Sequence, residues 1–309
     1  MGAYVEFDEL VRMQFRAQGF SFLPRQPVHS LLSGRRASRM RGRGLDFAEM
    51  RAYVPGDDVR TIDWRVTARA PKPYVRVYTE ERDRPALVIV DQRMNMFFGS
   101  RVSMKSVVAA ELAALAAWRV FHQGDRIGAI VFNDTRTEEM RPQRSRAAVL
   151  RILNALVRQN HELRADAPVA AAHARLNEVL RDVDRLSPHN TLIVLISDFD
   201  GADDLTKDRL LHLAQHNDVV AVLAYDPLAV KLPPAGEMVV SNGELQVEVP
   251  IGKQAIRTKI LEASDRRIQA ILDWQHEIGV PVIPLSTAED VAMQIRHFLG
   301  HVESPRSLR

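Results

Sequence analysis

Three aspartates, Asp57, Asp58 and Asp63, lie among Arg51, Arg60, Arg65 and Arg69 and beside Tyr53 and Trp64. Clustered carboxylates can hold two metal ions for hydrolysis, but only when no cation on the chain already neutralises them. Arginines interleaved with the acids predict ion pairs instead. The segment therefore reads first as a brace in which Arg51, Arg60, Arg65 and Arg69 pair with Asp57, Asp58 and Asp63, beside Tyr53 and Trp64. Recognition of a partner by this surface is the second reading, and metal-dependent hydrolysis the third.

Two further acids end apolar runs. Asp91 follows Ala86-Leu87-Val88-Ile89-Val90, and Asp198 follows Leu192-Ile193-Val194-Leu195-Ile196-Ser197. Runs that are apolar without alternation belong to strands covered on both faces. In an open parallel sheet, ligands gather beyond the carboxyl ends of the strands. Both carboxylates thus reach one edge, where the plainest role for each is a helix cap or a loop ion pair.

The elements that must position these residues are legible from periodicity. Strands are expected at 74–78, 86–90, 127–132, 191–196, 219–223 and 281–284. Helical spacing covers 103–122, 145–158, 170–186, 204–216, 253–277 and 288–299. Right-handed crossovers between such strands give an α/β fold, a three-layer doubly wound and mostly parallel sheet. Ser241-Asn242-Gly243 predicts a hairpin insertion joining 237–240 to 244–249. Upstream, Phe7, Leu10, Val11 and Phe15 have helical spacing, and Pro24 and Pro27 mark a break. Val54-Pro55-Gly56-Asp57 has the residues of a type II turn, with Asp57 or Asp58 as the cap of a short helical turn. The chain divides into an N-terminal helix, arginine arm and aspartate–arginine segment (1–84), a sheet domain (85–302) and a tail (303–309).

Bulk composition narrows the function further. At 309 residues and 46% apolar content the chain can bury a sizeable core. It has no cysteine, which excludes disulfides, thiol catalysis and cysteine-ligated zinc. Glu6, Asp8 and Glu9 stand where a signal peptide needs basic and apolar residues. The most apolar long stretch, 102–121, carries Lys105, Glu111 and Arg119, so a soluble cytoplasmic protein is expected. The net charge of +3 is uneven: residues 1–85 hold 16 Lys/Arg against 11 Asp/Glu, and 86–309 hold 26 against 28. Arg35, Arg36, Arg39, Arg41 and Arg43 concentrate the excess. That arm reads as a solvated segment, a dock for an acidic protein, or a nucleic-acid surface lacking the aromatics that stack bases.

The pattern strand-Asp91, then strand-Ser197-Asp198, resembles the scaffold of von Willebrand factor type A domains. That resemblance implies a divalent cation held by Asp-x-Ser-x-Ser, a distant Thr and a distant Asp, oxygen ligands that suit Mg²⁺. The segment Gly42-x-Gly44-x-Asp46-Phe47, Arg51-x-Tyr53-x-Pro55-Gly56-Asp57-Asp58-x-Arg60-x-Ile62-Asp63-Trp64 and Ala68-Arg69 is similar to the bacterial DUF58 family. The resemblance runs from about residue 31 to the last helix. It implies a von Willebrand A-like protein encoded beside a MoxR-type AAA+ ATPase.

One departure from the metal pattern decides the expectation for a cofactor. In Asp91-Gln92-Arg93-Met94-Asn95 the two serine positions hold Arg93 and Asn95. Asn95 can offer a carbonyl oxygen, whereas a guanidinium has donors only. Arg93 is expected to replace the cation by pairing with Asp91 or Asp198, so no cofactor is expected and Mg²⁺ is disfavoured. Thr135 and Thr137 are candidates for the distant threonine by position alone.

Weaker signals are set aside. His212 and His216 have zinc-compatible spacing but no further ligand. Asp198 to Asp204 lacks the glycine and glutamate of a calcium loop, since Asp203 and Arg209 occupy those positions. The leading expectation is a non-enzymatic adaptor for a MoxR-type AAA+ ATPase, with other von Willebrand A-like proteins as further partners. Its binding edge comprises Met94, Met96, Phe97, Phe98 and Asp200, a residue mix common at interfaces. The alternative is a metal-dependent hydrolase or nucleic-acid-binding protein that uses the arginine arm and Asp57, Asp58 and Asp63.

Overall fold

The computed structural model describes residues 2–22, 45–55, 57–70, 72–80, 85–164, 175–187, 189–229, 237–241, 246–250 and 264–300. The arginine arm, Gly56, the hairpin turn at 242–243 and the first parts of the helices expected at 170 and 253 lie outside these residues. The chain forms two compact units, residues 1–25 with 84–309, and residues 26–83.

The larger unit is a three-layer α/β domain. Strands β3 (Ala86–Asp91), β4 (Ile127–Phe132), β5 (Thr137–Gln143), β6 (Leu192–Ser197), β7 (Asp218–Tyr225) and β10 (Val282–Ser286) form one sheet, in the order β10-β7-β6-β3-β4-β5. All neighbours run parallel except β4 and β5. Every residue of β3, β4 and β6 is buried, as their unbroken apolar sequence requires.

One face of the sheet packs against α1 (Phe7–Arg12), α3 (Lys105–His122), α4 (Arg146–His161) and α9 (Val291–Leu299). The other packs against α5 (Arg175–Leu186), α6 (Asp204–Ala214), α7 (264–272) and α8 (Trp274–Glu277). Helix α3 is buried nearly all round, with every residue from Ala109 to Trp118 buried except Glu111. That explains why it is apolar enough to resemble a membrane segment. Among the described residues no helix is long and apolar enough to cross a membrane. Helices α4 and α9 start one and three residues later than their apolar spacing suggests, because Ser145 and Asp290 serve as N-caps, while α6 starts at Asp204 as expected, capped by Asp203.

One strand of this sheet escaped the periodicity. Strand β5, Thr-Glu-Glu-Met-Arg-Pro-Gln, is the sheet's edge, and its charges and Pro142 suit an edge while hiding it among loops. The antiparallel register slips between Ile127 and Ala129. Gly128 sits at that slip, where a Cβ would lie 2.6 Å from the Met140 carbonyl oxygen.

The N-terminal helix joins the sheet unit, not the segment that follows it in sequence. Leu10, Ala17, Phe20 and Phe22 are buried in its packing, with about 2 kcal/mol available from each large side chain. The Trp118 indole donates to the Leu10 carbonyl at 3.0 Å. Phe15, which shares the helical spacing, is 75% exposed because the helix tightens into a 3₁₀ turn at Met13–Phe15.

In the smaller unit, β1 (Leu45–Ala52) pairs antiparallel with β2 (Tyr74–Glu80), and the short α2 (Trp64–Thr67) lies between them in sequence. The sequence suggested only the second strand. A separate antiparallel pair joins β8 (Glu237–Ser241) to β9 (Gln246–Pro250), the hairpin expected there.

Candidate functional site at the strand ends

Strands β3 and β6 are parallel neighbours, with Val90 opposite Ile196, so Asp91 and Ser197 end side by side. The chain leaves β3 toward β4 on one flank and returns as β6 on the other. Loops diverge at such a switch point, and a crevice opens there.

Asp91 is fully buried. A carboxylate without a partner in such a place is costly. Arg93 supplies the partner: its Nε donates to Asp91 Oδ1 at 3.0 Å and Oδ2 at 3.1 Å, and its Nη2 donates to Oδ2 at 2.7 Å. The Arg93 backbone N–H adds a bond to Oδ1 at 2.9 Å, and the Ser197 hydroxyl donates to Oδ2 at 2.6 Å. Arg93 itself is 2% exposed. Its Nη2 also reaches the Asp200 carbonyl at 3.2 Å, and its Cζ lies 5.8 Å from the centre of the Phe132 ring. Burial works to lower the Arg93 guanidinium, but Asp91, with help from Asp198 and Asp200, holds it above its ordinary range.

The second carboxylate has a different cation. Asp198, also buried, forms an ion pair with the Lys105 ammonium through Oδ2. Its Oδ1 accepts from Asn95 Nδ2 at 2.7 Å and from the Asp200 backbone N–H at 3.0 Å. Arg267 donates to the Asp198 carbonyl at 3.0 Å and pairs with Asp200 at 2.9 Å. Burial pushes the Asp198 carboxyl upward, yet Lys105 and then Arg267 bring it below the usual carboxylate range.

The surrounding backbone is fixed around these contacts. Phe199 has a left-handed φ of 55°, a costly conformation for a bulky residue. Its N–H donates to the Ser197 hydroxyl at 2.9 Å, and its buried ring meets Trp274 edge-on at 5.1 Å. The loop after β3 is anchored at Ser100, whose N–H and Oγ donate to Asp226 at 2.8 and 2.5 Å. Thr287 donates to the same carboxylate at 2.5 Å. Gly99 lets the loop pass close to the backbone just before α3, since a Cβ there would lie 2.0 Å from the Ser103 carbonyl oxygen.

This donor set does not fit a divalent cation. Both Asp91 oxygens already accept guanidinium protons, and Asp198 accepts an ammonium and an amide. Asn95 turns its amide N–H₂, not its carbonyl, toward Asp198. Thr135 donates to Asn133 Oδ1 at 3.1 Å, while Thr137 accepts from Arg175 at 2.8 Å, so both hydroxyls bond away from Asp91 and Asp198. Among the described residues no group of three or more His, Asp or Glu is arranged to hold a metal ion.

The expected binding edge is only partly a surface. Met96 is fully buried in the core, which removes it from any contact. Phe97 is half-buried and stacks on Tyr4 at 5.5 Å. Met94 is half-buried, Phe98 is 46% exposed, and Asp200 is tied to Arg267. The 3₁₀ turn at Met94–Met96 alternates these side chains between core and solvent, a pattern a run of apolar residues does not disclose. Asp203 caps α6 through a reciprocal bond with Thr206, the ordinary role of an acid at that position.

Sequence reasoning missed Lys105, Arg267, Ser197 as a hydroxyl donor, and Asp226. Lys105 had a usable signal, because the helix after β3 opens on the same edge as Asp91 in a doubly wound sheet.

Within the smaller unit, the described residues of the aspartate–arginine segment show an Arg51–Asp57 ion pair and caps at Asp58 and Asp63. Arg51 grips Asp57 through both nitrogens at 2.7 Å. Asp58 accepts from the Arg60 N–H at 2.9 Å, and Asp63 from the Arg65 and Val66 N–H groups at 2.9 and 3.2 Å. Arg60, Arg65 and Arg69 make no ion pair among the described residues, which corrects the expected brace. Aspartates just before a helical turn are drawn to its unsatisfied N–H groups. Tyr53 donates its backbone N–H to Pro73, and Trp64 is 68% exposed.

An uncharacterized protein of Mycobacterium tuberculosis, Rv1480, is 28% identical over 281 residues, covering 89% of this chain and 85% of the relative. Mb1516, an uncharacterized protein of Mycobacterium bovis, matches to the same extent, 28% over 281 residues. Among solved structures, the conserved hypothetical protein BatB from Bacteroides thetaiotaomicron has a TM-score of 0.39 at 10% identity, covering 69% of this chain and 98% of that one. The SpRpn10 VWA domain has a TM-score of 0.34 at 6% identity, covering 69% and 93%. The model of the family described as "Protein of unknown function DUF58" matches residues 49–270, more than half of the sequence, and the chain belongs to that family.

Proposed function

We propose that this protein is a non-enzymatic, von Willebrand A-like adaptor that works in the cytoplasm with a MoxR-type AAA+ ATPase to remodel or assemble a client. The observation that supports it is the neutralisation of both strand-end carboxylates by cations of the chain itself, Arg93 on Asp91 and Lys105 on Asp198. An edge held this way keeps one arrangement without a supply of metal, and it presents the exposed Phe98 to a partner. The hydrolase reading has less support. Asp57 is bound to a guanidinium, and Asp58 and Asp63 accept backbone N–H groups.

Binding to a purified MoxR-type AAA+ ATPase from the same organism tests the proposal, measured by biolayer interferometry with and without ATP. The wild type is expected to bind, and Phe98→Glu to bind about tenfold more weakly or worse. Because Phe98 is exposed, the variant's melting temperature should not change. No binding in any nucleotide state overturns the adaptor. Equal binding by the variant removes the strand-end edge as the contact surface.

A further inference from the structure

Residues 26–83 carry 12 Lys/Arg against eight Asp/Glu, a charge of +4, more than the whole chain's +3. Within this unit one loop is closed by the backbone. Tyr53 donates its N–H to the Pro73 carbonyl at 2.8 Å, and Asp63 donates its N–H to Tyr74 at 2.9 Å. Ile62 also bridges to Val75. The two ends of the loop are thus stitched to consecutive residues, as in compact Ω-type loops.

This closed loop and the turn of α2 that follows it expose what a folded protein normally covers. Val54 is 56% exposed, Val59 58% and Trp64 68%. Arg60, Arg65, Arg69 and Lys72 are exposed around them. The three local acids are already engaged, Asp57 by Arg51 and the other two by backbone N–H groups. Each cap also fixes the turn that carries the neighbouring side chain, so Trp64 projects from a rigid base. Tryptophan and arginine, with an apolar surround, are the residues that dominate binding energy at protein interfaces.

We infer that this loop is a docking surface for an acidic segment of a protein partner, one that sets apolar side chains against Trp64, Val54 and Val59 and carboxylates against Arg65 and Arg69. Charge complementarity selects an acidic occupant. A protein fits better than a nucleic acid. Single-stranded nucleic acids need successive stacking rings, and Trp64 is the one strongly exposed aromatic here among the described residues. Exposed valines add nothing to a phosphate contact, whereas they extend an apolar protein contact.

The test uses the full chain and a fluorescein-labelled peptide of alternating Glu and Leu, with an oligo(dT) strand as the competing class. Fluorescence anisotropy at low salt should show saturable peptide binding that weakens as salt rises. Trp64→Ala should weaken it about tenfold, and Arg65→Glu with Arg69→Glu should weaken it further. All three side chains are exposed, so the fold should survive, which thermal melting checks. Occupancy has a direct optical signal as well. Trp118 and Trp274 are 1% and 2% exposed, so acrylamide quenching reports on Trp64, and the peptide should protect it. Absence of peptide binding, binding indifferent to Trp64→Ala, or tighter binding of oligo(dT) than of the peptide overturns the inference.

Discussion

Arg93→Ala should lose roughly 3–5 kcal/mol of stability at neutral pH, the usual cost of stranding one partner of a buried ion pair. The substitution leaves a fully buried Asp91 with only the Ser197 hydroxyl and one backbone N–H. It removes three side-chain bonds to that carboxylate at once. Arg93→Lys should recover only part of the loss, because an ammonium cannot grip both oxygens as the planar guanidinium does. Arg93→Met combined with Asp91→Asn should come closer to wild type than Arg93→Ala, since no uncompensated charge remains. Urea denaturation with a fixed slope reads each value from the midpoint. A loss below about 1 kcal/mol for Arg93→Ala would mean that the pair is structurally idle.

Lys105→Met should cost about 3 kcal/mol at neutral pH, and the cost should shrink in acid. In the wild type the Asp198 carboxyl lies below the usual carboxylate range. A depressed group contributes stability above its unfolded pKa and loses it as pH falls through its folded one. Without Lys105, burial is left as the dominant influence on Asp198 and pushes the carboxyl upward. The variant can then relieve its penalty by taking up a proton at mildly acidic pH, while the wild type remains ionised. Parallel urea titrations at pH 7 and about pH 4 give the comparison. A cost that is equal or larger at the lower pH contradicts this assignment of charges.

The sequence made the sheet legible because its central strands are unbroken apolar runs, and Asp91 and Asp198 were placed at strand ends for the same reason. Strand β5 was hidden because an exposed edge strand has no apolar face to display, and β1 because its residues are mixed in polarity. The site was legible at Arg93, where a donor-only side chain stands in a ligand position. It was not legible at Arg267, which reaches Asp198 and Asp200 from far along the chain through tertiary packing. The burial of Met96 likewise depends on the phase of a single 3₁₀ turn. In the aspartate–arginine segment, composition suggested ion pairs. Local N–H groups, three residues away or fewer, outcompeted the arginines for Asp58 and Asp63.

If the chain's own cations stand where a divalent ion would otherwise bind, Mg²⁺ and Mn²⁺ should find no site at the strand ends. Isothermal titration of the purified, metal-stripped protein with Mg²⁺ and with Mn²⁺ tests it most directly. No saturable binding at the strand-end edge is expected for the wild type. Saturable micromolar binding that disappears in a folded Asp91→Ala variant would contradict it.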